Sequence, residues 1–118
     1  MSAERHFHVA ISHVKLRPDV AARHFAIAAA AGHAHARANL GVMYDRGLGV
    51  PVDDARAAFH YAVAAEAGDA SAAYNLAMCF FCGSGVAHDR ASALVYFALA
   101  ASQGDADARL AVDGLIGP

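Results

Sequence analysis

The amino-acid sequence predicts an all-α protein, a short α-solenoid of antiparallel helix pairs with a 36-residue period, and three observations lead there. The 118 residues include 32 Ala against 10 Val, 8 Leu and 3 Ile, with only 3 Pro, a balance that favours packed helices over a β-sandwich. Gly32, Gly68 and Gly104 are spaced by 36 residues, and so are Asn39/Asn75, Leu40/Leu76, Gly47/Gly83, Gly49/Gly85, Val50/Val86 and Asp53/Asp89. A fixed spacing of that length marks a repeat architecture. Residues 33–68 laid over 69–104 without a gap are identical at 14 of 36 positions. Seven of those matches are Ala, so the Gly, Asn, Leu, Val and Asp matches carry the weight.

The elements are taken in chain order. Residues 1–18 admit two readings: Phe7, Ala10, Ile11 and Val14 make a helical face, whereas Phe7, Val9 and Ile11 alternate as in a strand. The helix is favoured, as a degenerate capping helix, because a stack exposes an apolar end unless something covers it. Asp19 to Gly32 aligns 36 residues ahead of Ala55 to Gly68, with His24 opposite His60 and Phe25 opposite Tyr61, and so reads as the second helix of a pair. The repeat domain is accordingly set at 19–118.

From about Ala34 to Arg46, Leu40 and Tyr44 share a face, and Gly41 lets a neighbouring helix come close; Leu76, Phe80 and Ala77 repeat this. Gly47-Leu48-Gly49-Val50 ends that helix, its two glycines supplying positive φ while Val50 and Val86 fold back to seal the loop. Asp53 and Asp89 are placed to cap the second helix, where a carboxylate meets free N–H groups and the positive dipole end. That helix runs to about Ala67 or Gln103. Its recurring alanines, Ala55/Ala91, Ala62/Ala98 and Ala65/Ala101, leave room for close packing. Gly68 and Gly104 stop it, and Asp69 and Asp105 can cap the helix of the next unit.

These residues resemble the Sel1-like repeat, a relative of the tetratricopeptide repeat, over roughly Asp19 to Asp113. The likeness rests on Asn39-Leu40-Gly41 with Tyr44, then Gly47-x-Gly49-Val50, Asp53, His60-Tyr61, and Ala64-Ala65 before Gly68. The second unit departs with Ala77 and Phe80 in place of Gly and Tyr, and the third has Ala111 and Val112 in place of Asn and Leu. With no third G-x-G, the last helix is expected to act as a cap. The resemblance implies that the first helix of each unit lines a concave groove. There it places His35, Ala38, Asn39, Val42 and Arg46, then Ser71, Tyr74, Asn75, Met78, Phe81 and Cys82. Asn is a poor mid-helix residue, yet it recurs at 39 and 75. Its amide can donate to and accept from a peptide backbone, or it can bond to the adjacent repeat. Tyr74, Met78 and Phe81 form an i, i+4, i+7 apolar stripe, read as a binding patch, a self-association surface or an extension of the core.

Other chemistries find less support. Cys79-x-x-Cys82 lacks further ligands at zinc spacing and follows a helix where a redox motif would follow a strand, so Cys79 reads as apolar filling and Cys82 as a free thiol. His6-x-His8 and His33-x-His35 point about 200° apart on a helix and do not chelate there. No Ser/His/Asp set, paired carboxylate or phosphate loop stands out; catalytic residues, metal and cofactor are all expected to be absent. Formal charge is −2, and the eight Arg and single Lys15 are scattered, which disfavours nucleic acid. The longest apolar run, Ala93 to Ala101, is too short to cross a bilayer, and the start lacks a secretory signal, so no membrane partner and a cytoplasmic setting are expected. The function expected is a non-enzymatic protein–protein interaction module or scaffold, binding a partner segment in the groove. The alternative is a self-associating structural protein, such as a homodimer joined through its apolar stripe and array ends.

Overall fold

In a computed structural model describing residues 1–116, the described residues form seven helices: α1 (Ala3–His13), α2 (Pro18–Ala30), α3 (Ala34–Arg46), α4 (Asp54–Glu66), α5 (Ala70–Cys82), α6 (Arg90–Ser102) and α7 (Ala106–Ile116). Each packs mainly on its chain neighbours, giving a body of 49 × 26 × 21 Å. The first 18 residues contain a helix and, among the described residues, no strand. Phe7, Ala10 and Val14 turn into the core while Ile11 stays half exposed. The last two residues of the 19–118 repeat domain lie outside the described residues.

Helix ends are set by local side-chain chemistry. The carboxylates of Asp53, Asp69, Asp89 and Asp105 accept from backbone N–H groups at the starts of α4, α5, α6 and α7. At α3 the same place is taken by His33, whose Nδ1 accepts from Ala36 N–H at 3.1 Å while Nε2 donates to Glu4 at 2.9 Å. That arrangement ties the start of α3 to α1. Gly47 and Gly83 close α3 and α5 in the left-handed conformation at φ 69° and 72°. The loops beyond them are shut by Asp53 N–H to Tyr44 and Asp89 N–H to Phe80, both 3.0 Å.

The second glycine of each G-x-G joins one unit to the previous one. A β-carbon on Gly49 would lie 2.3 Å from the Pro18 carbonyl, and one on Gly85 would lie 2.1 Å from the Asp54 carbonyl oxygen. Both glycines therefore let a loop touch the backbone at the start of α2 or α4.

The core repeats with the same 36-residue register. Phe25, Tyr61 and Phe97 are buried at equivalent places, as are Leu40 and Leu76. Alanines fill the close helix contacts: Ala21/Ala57/Ala93, Ala28/Ala64/Ala100 and Ala36/Ala72/Ala108 are at most 2% exposed. The expectation for Ala55/Ala91 and Ala62/Ala98 needs correction. Ala55, Ala91 and Ala98 are exposed and Ala62 is half-buried, because the helix phase turns residues 57, 64, 93 and 100 inward instead. Gly41 does admit a neighbour, since a β-carbon there would come within 2.7 Å of the Tyr61 ring.

Candidate functional site

The odd-numbered helices α1, α3, α5 and α7 share one face, and three depressions run along it. Between α1 and α3 lies a groove of about 680 Å³, floored by Phe25 and Met43 and walled by Ile11, Val14, Leu16, Val42 and Leu48, with Asn39, Lys15 and Arg46 among its lining. Between α3 and α5 is a smaller cleft of about 130 Å³ holding Asp45, Tyr61, Asn75, Cys79 and Cys82. Between α5 and α7 is a third, about 280 Å³, lined by Met78, Phe81, Phe97, Ala111, Gly114 and Leu115 without a charged side chain.

The residues singled out in the sequence divide accordingly. Asn39, Val42 and Arg46 line the first groove, Asn75 the second, and Met78 and Phe81 the third. Neither Asn39 nor Asn75 makes a side-chain hydrogen bond among the described residues. Nothing there ties their amides to an adjacent repeat. The expected stripe is split: Met78 and Phe81 are 37% and 39% exposed, whereas Tyr74 turns onto Phe97, ring centroids 5.5 Å apart, and joins the core. His35 is exposed but engaged, its Nδ1 donating to the buried carboxylate of Asp69 at 2.5 Å. Ser71 is exposed near the start of α5, and Ala38 is buried.

The α1 contribution escaped the sequence reading. Only residues 14–17 separate α1 from α2, against 47–53 between α3 and α4, so the connection is three residues shorter. Shifting the offset from 36 to 33 places Phe7 over Leu40 and Ala10 over Met43, all of them in one cluster. The signal was the apolar face at Phe7, Ala10 and Val14; allowing a shorter loop would have found it.

Aromatic pairs hold the ends of the first helices to the second. Tyr44 stacks on His60 at 5.6 Å and Phe80 on Tyr96 at 5.7 Å, in equivalent places. Partial burial lowers the His60 pKa from its ordinary value, and Arg37 and Arg56 push it the same way. Burial lifts the Cys79 thiol to about 11, helped by Asp45 and Asp54, so this thiol is a poor nucleophile. Tyr61 is also raised, first by burial and then by Asp45. His6 and His24 meet through Nδ1 atoms 2.7 Å apart, one donating and one accepting. Burial, His24 and the amino terminus lower the His6 pKa. Among the described residues, no group of three or more His, Cys, Asp or Glu side chains is placed to hold a metal ion.

A family model described as Sel1 repeat matches residues 18–33, 34–69 and 70–105. The chain is similar in structure to a Sel1 repeat protein from Oxalobacter formigenes, with TM-score 0.87 and 32% identity over 95% of this chain and 88% of that one. It is also similar to c5321, a protective antigen present in uropathogenic Escherichia coli strains and displaying an SLR fold. There the TM-score is 0.89 and the identity 28%, over 94% of this chain and 25% of that one. Helicobacter pylori cysteine rich protein B shares the fold at TM-score 0.77 and 18% identity, over 92% and 93% of the two chains. No curated protein sequence matches the chain significantly.

Proposed function

The chain belongs to the Sel1 repeat family, and from that premise we propose that it is a non-enzymatic interaction module holding a segment of another protein along its first-helix face. Sel1-repeat proteins are in general protein–protein interaction modules. The observation that carries the reading is the run of three depressions across α1, α3, α5 and α7, with the free amide of Asn39 beside the apolar walls of the first and that of Asn75 in the more polar cleft that follows. Apolar pockets supply affinity, and amides spaced by one repeat can hold the backbone of an extended segment. Asn39, Val42, Arg46, Asn75, Met78 and Phe81 form the contact set in this reading. His35, Ser71 and Tyr74 flank it, His35 and Tyr74 through their bonds and packing to Asp69 and Phe97.

No described helix is long and apolar enough to cross a membrane. A cytoplasmic setting belongs to this proposal. The scattered arginines favour a protein partner over nucleic acid. Self-association is the second reading, favoured by Met78, Phe81 and the 69%-exposed Leu110 at the α7 end. Affinity capture with mass spectrometry, followed by recapture with Asn75→Ala and Phe81→Ala, tests the first reading. Recovery undiminished by both substitutions would count against it, and a concentration-dependent dimer in sedimentation equilibrium would favour the second.

A further inference from the structure

The groove between α1 and α3 differs in charge from the rest of the molecule. The chain carries a formal charge of −2, yet the charged groups lining this groove are Lys15 and Arg46, with no carboxylate among them. Among the described residues neither cation is in an ion pair. Arg17, two residues further along the same loop, is engaged with Asp19 at 3.4 Å. Asp45, beside Arg46 in sequence, lies in the neighbouring cleft with Tyr61. Two unpaired cations thus border an apolar trough. The opposite depression, at Met78 and Phe81, has no charge to answer them.

We propose that the α1–α3 groove takes an acidic apolar peptide segment: a large apolar side chain seated over Phe25 and Met43, with flanking carboxylates on Lys15 and Arg46. This rests on the partner-binding reading above and names the partner's chemistry. A carboxylate at each cation gains a charge-assisted hydrogen bond, and the apolar floor between them selects the side chain that enters. A peptide suits the site better than a lipid surface, because Asn39 stands in the groove with an amide free to pair with a backbone. The charges also set direction, with the acidic part over α1 and α3 and the uncharged part continuing toward Phe81.

Fluorescence anisotropy with the full chain tests this. The probes are three fluorescein-labelled twelve-residue peptides sharing two Leu, two Phe, two Gly and two Ser, whose four remaining positions are all Glu, all Gln or all Lys. The Glu peptide is expected to bind tightest, the Gln peptide about tenfold weaker and the Lys peptide weakest, the gap between Glu and Gln closing as salt rises. The double variant Lys15→Gln/Arg46→Gln should lose about tenfold for the Glu peptide and nothing for the Gln peptide, with its melting temperature kept. The equally charged control Arg5→Gln/Arg23→Gln, away from the groove, should bind as the parent does. Equal affinity for Glu and Gln peptides, lost on Val42→Asp, would overturn the charge assignment while leaving the groove as a peptide site. No binding by any of the three at millimolar concentration would overturn both readings. Capture on anionic phospholipid vesicles that depends on Lys15 and Arg46, or a dimer abolished by their substitution, would assign the cations to a membrane surface or to a second copy and overturn the proposal.

Discussion

Residues 33–68 and 69–104 trace one path twice, but apart from Asn39 and Asn75 the side chains they set along the depressions of the first-helix face have little in common. Val42, Asp45 and Arg46 in one repeat stand where Met78, Phe81 and Cys82 stand in the other. The other places that match are mostly those where geometry leaves no choice: the glycines against the backbone of the preceding unit, the aspartate caps, and Leu40 and Leu76 in the core. Turns, caps and much of the packing are therefore met in the same way, and the face left free of them is varied except at its two asparagines. One depression is bordered by cations and the other has no charge.

The largest effect tests the shared part. Gly49→Val and Gly85→Val each put a β-branched residue at positive φ and within 2.3 Å of a neighbouring backbone, which has no flexible end to yield. Each should cost upwards of about 4 kcal/mol in urea denaturation, or prevent folding. Gly47→Val and Gly83→Val should cost less, more than about 1 kcal/mol. Position 47 should be the worse, because its β-carbon would meet the Val52 side chain at 2.7 Å, whereas that of position 83 would lie 3.5 Å from His88. Equal melting temperatures for parent and both position-49 and position-85 variants would sink the account of how the units are joined.

A smaller effect separates the two cores. Gly41 lies under the Tyr61 ring, while Ala77 occupies the equivalent place near Phe97. Helix propensity alone makes Gly41→Ala stabilising by about 1 kcal/mol. Crowding against Tyr61 should reverse the sign and leave a loss of about 1–3 kcal/mol. Ala77→Gly should also destabilise, by about 1 kcal/mol from propensity before any lost packing. A more stable Gly41→Ala would show that the Tyr61 ring moves aside freely.

Acid should affect the repeats unequally. His60 and Tyr96 fill equivalent stacked places, and only His60 gains a charge in this range. Its folded pKa is depressed, first by burial and then by Arg37 and Arg56, so the unfolded chain binds the proton more readily. Its contribution is then fully present above the ordinary value of 6.5 and is lost as pH falls through it towards the folded value. His6, depressed by burial, His24 and the amino terminus, acts in the same sense. Partial exposure of His60 keeps its share below about 1 kcal/mol. His60→Tyr should flatten part of the fall in melting temperature between pH 7.5 and 5; an unchanged slope would remove His60 as a source.

The legible part of the molecule divides along the same line. The 36-residue spacing revealed the helix pairs, the G-x-G turns and the aspartate caps because each depends on residues near in sequence. The groove walls needed contacts across repeats. Val42 and Arg46 could be placed on a face, but not paired with Ile11 and Lys15, since the short loop at 14–17 breaks the period. Tyr74 was placed with Met78 and Phe81 by helical spacing, and the nearby Phe97 ring drew it inward. The alanines misled for a related reason: recurrence was visible, but which of several recurring positions faced a neighbour depended on helix phase.

The smallest effect on stability should come from the face itself, and there the comparison bears on function. Phe81 is 39% exposed and stands where the first repeat has Asp45. Phe81→Asp copies that residue and should change stability by less than about 0.5 kcal/mol, as surface substitutions usually do. Were Phe81 a core residue, Phe81→Ala would cost about 3–5 kcal/mol. Binding should respond in the opposite proportion. A central aromatic contact is worth about 2 kcal/mol, or roughly thirtyfold in affinity, so Phe81→Ala and Asn75→Ala should weaken partner capture with helix content intact by circular dichroism. Binding that falls only in step with unfolding would mean that Phe81 serves packing, and that the two repeats differ in composition but not in task.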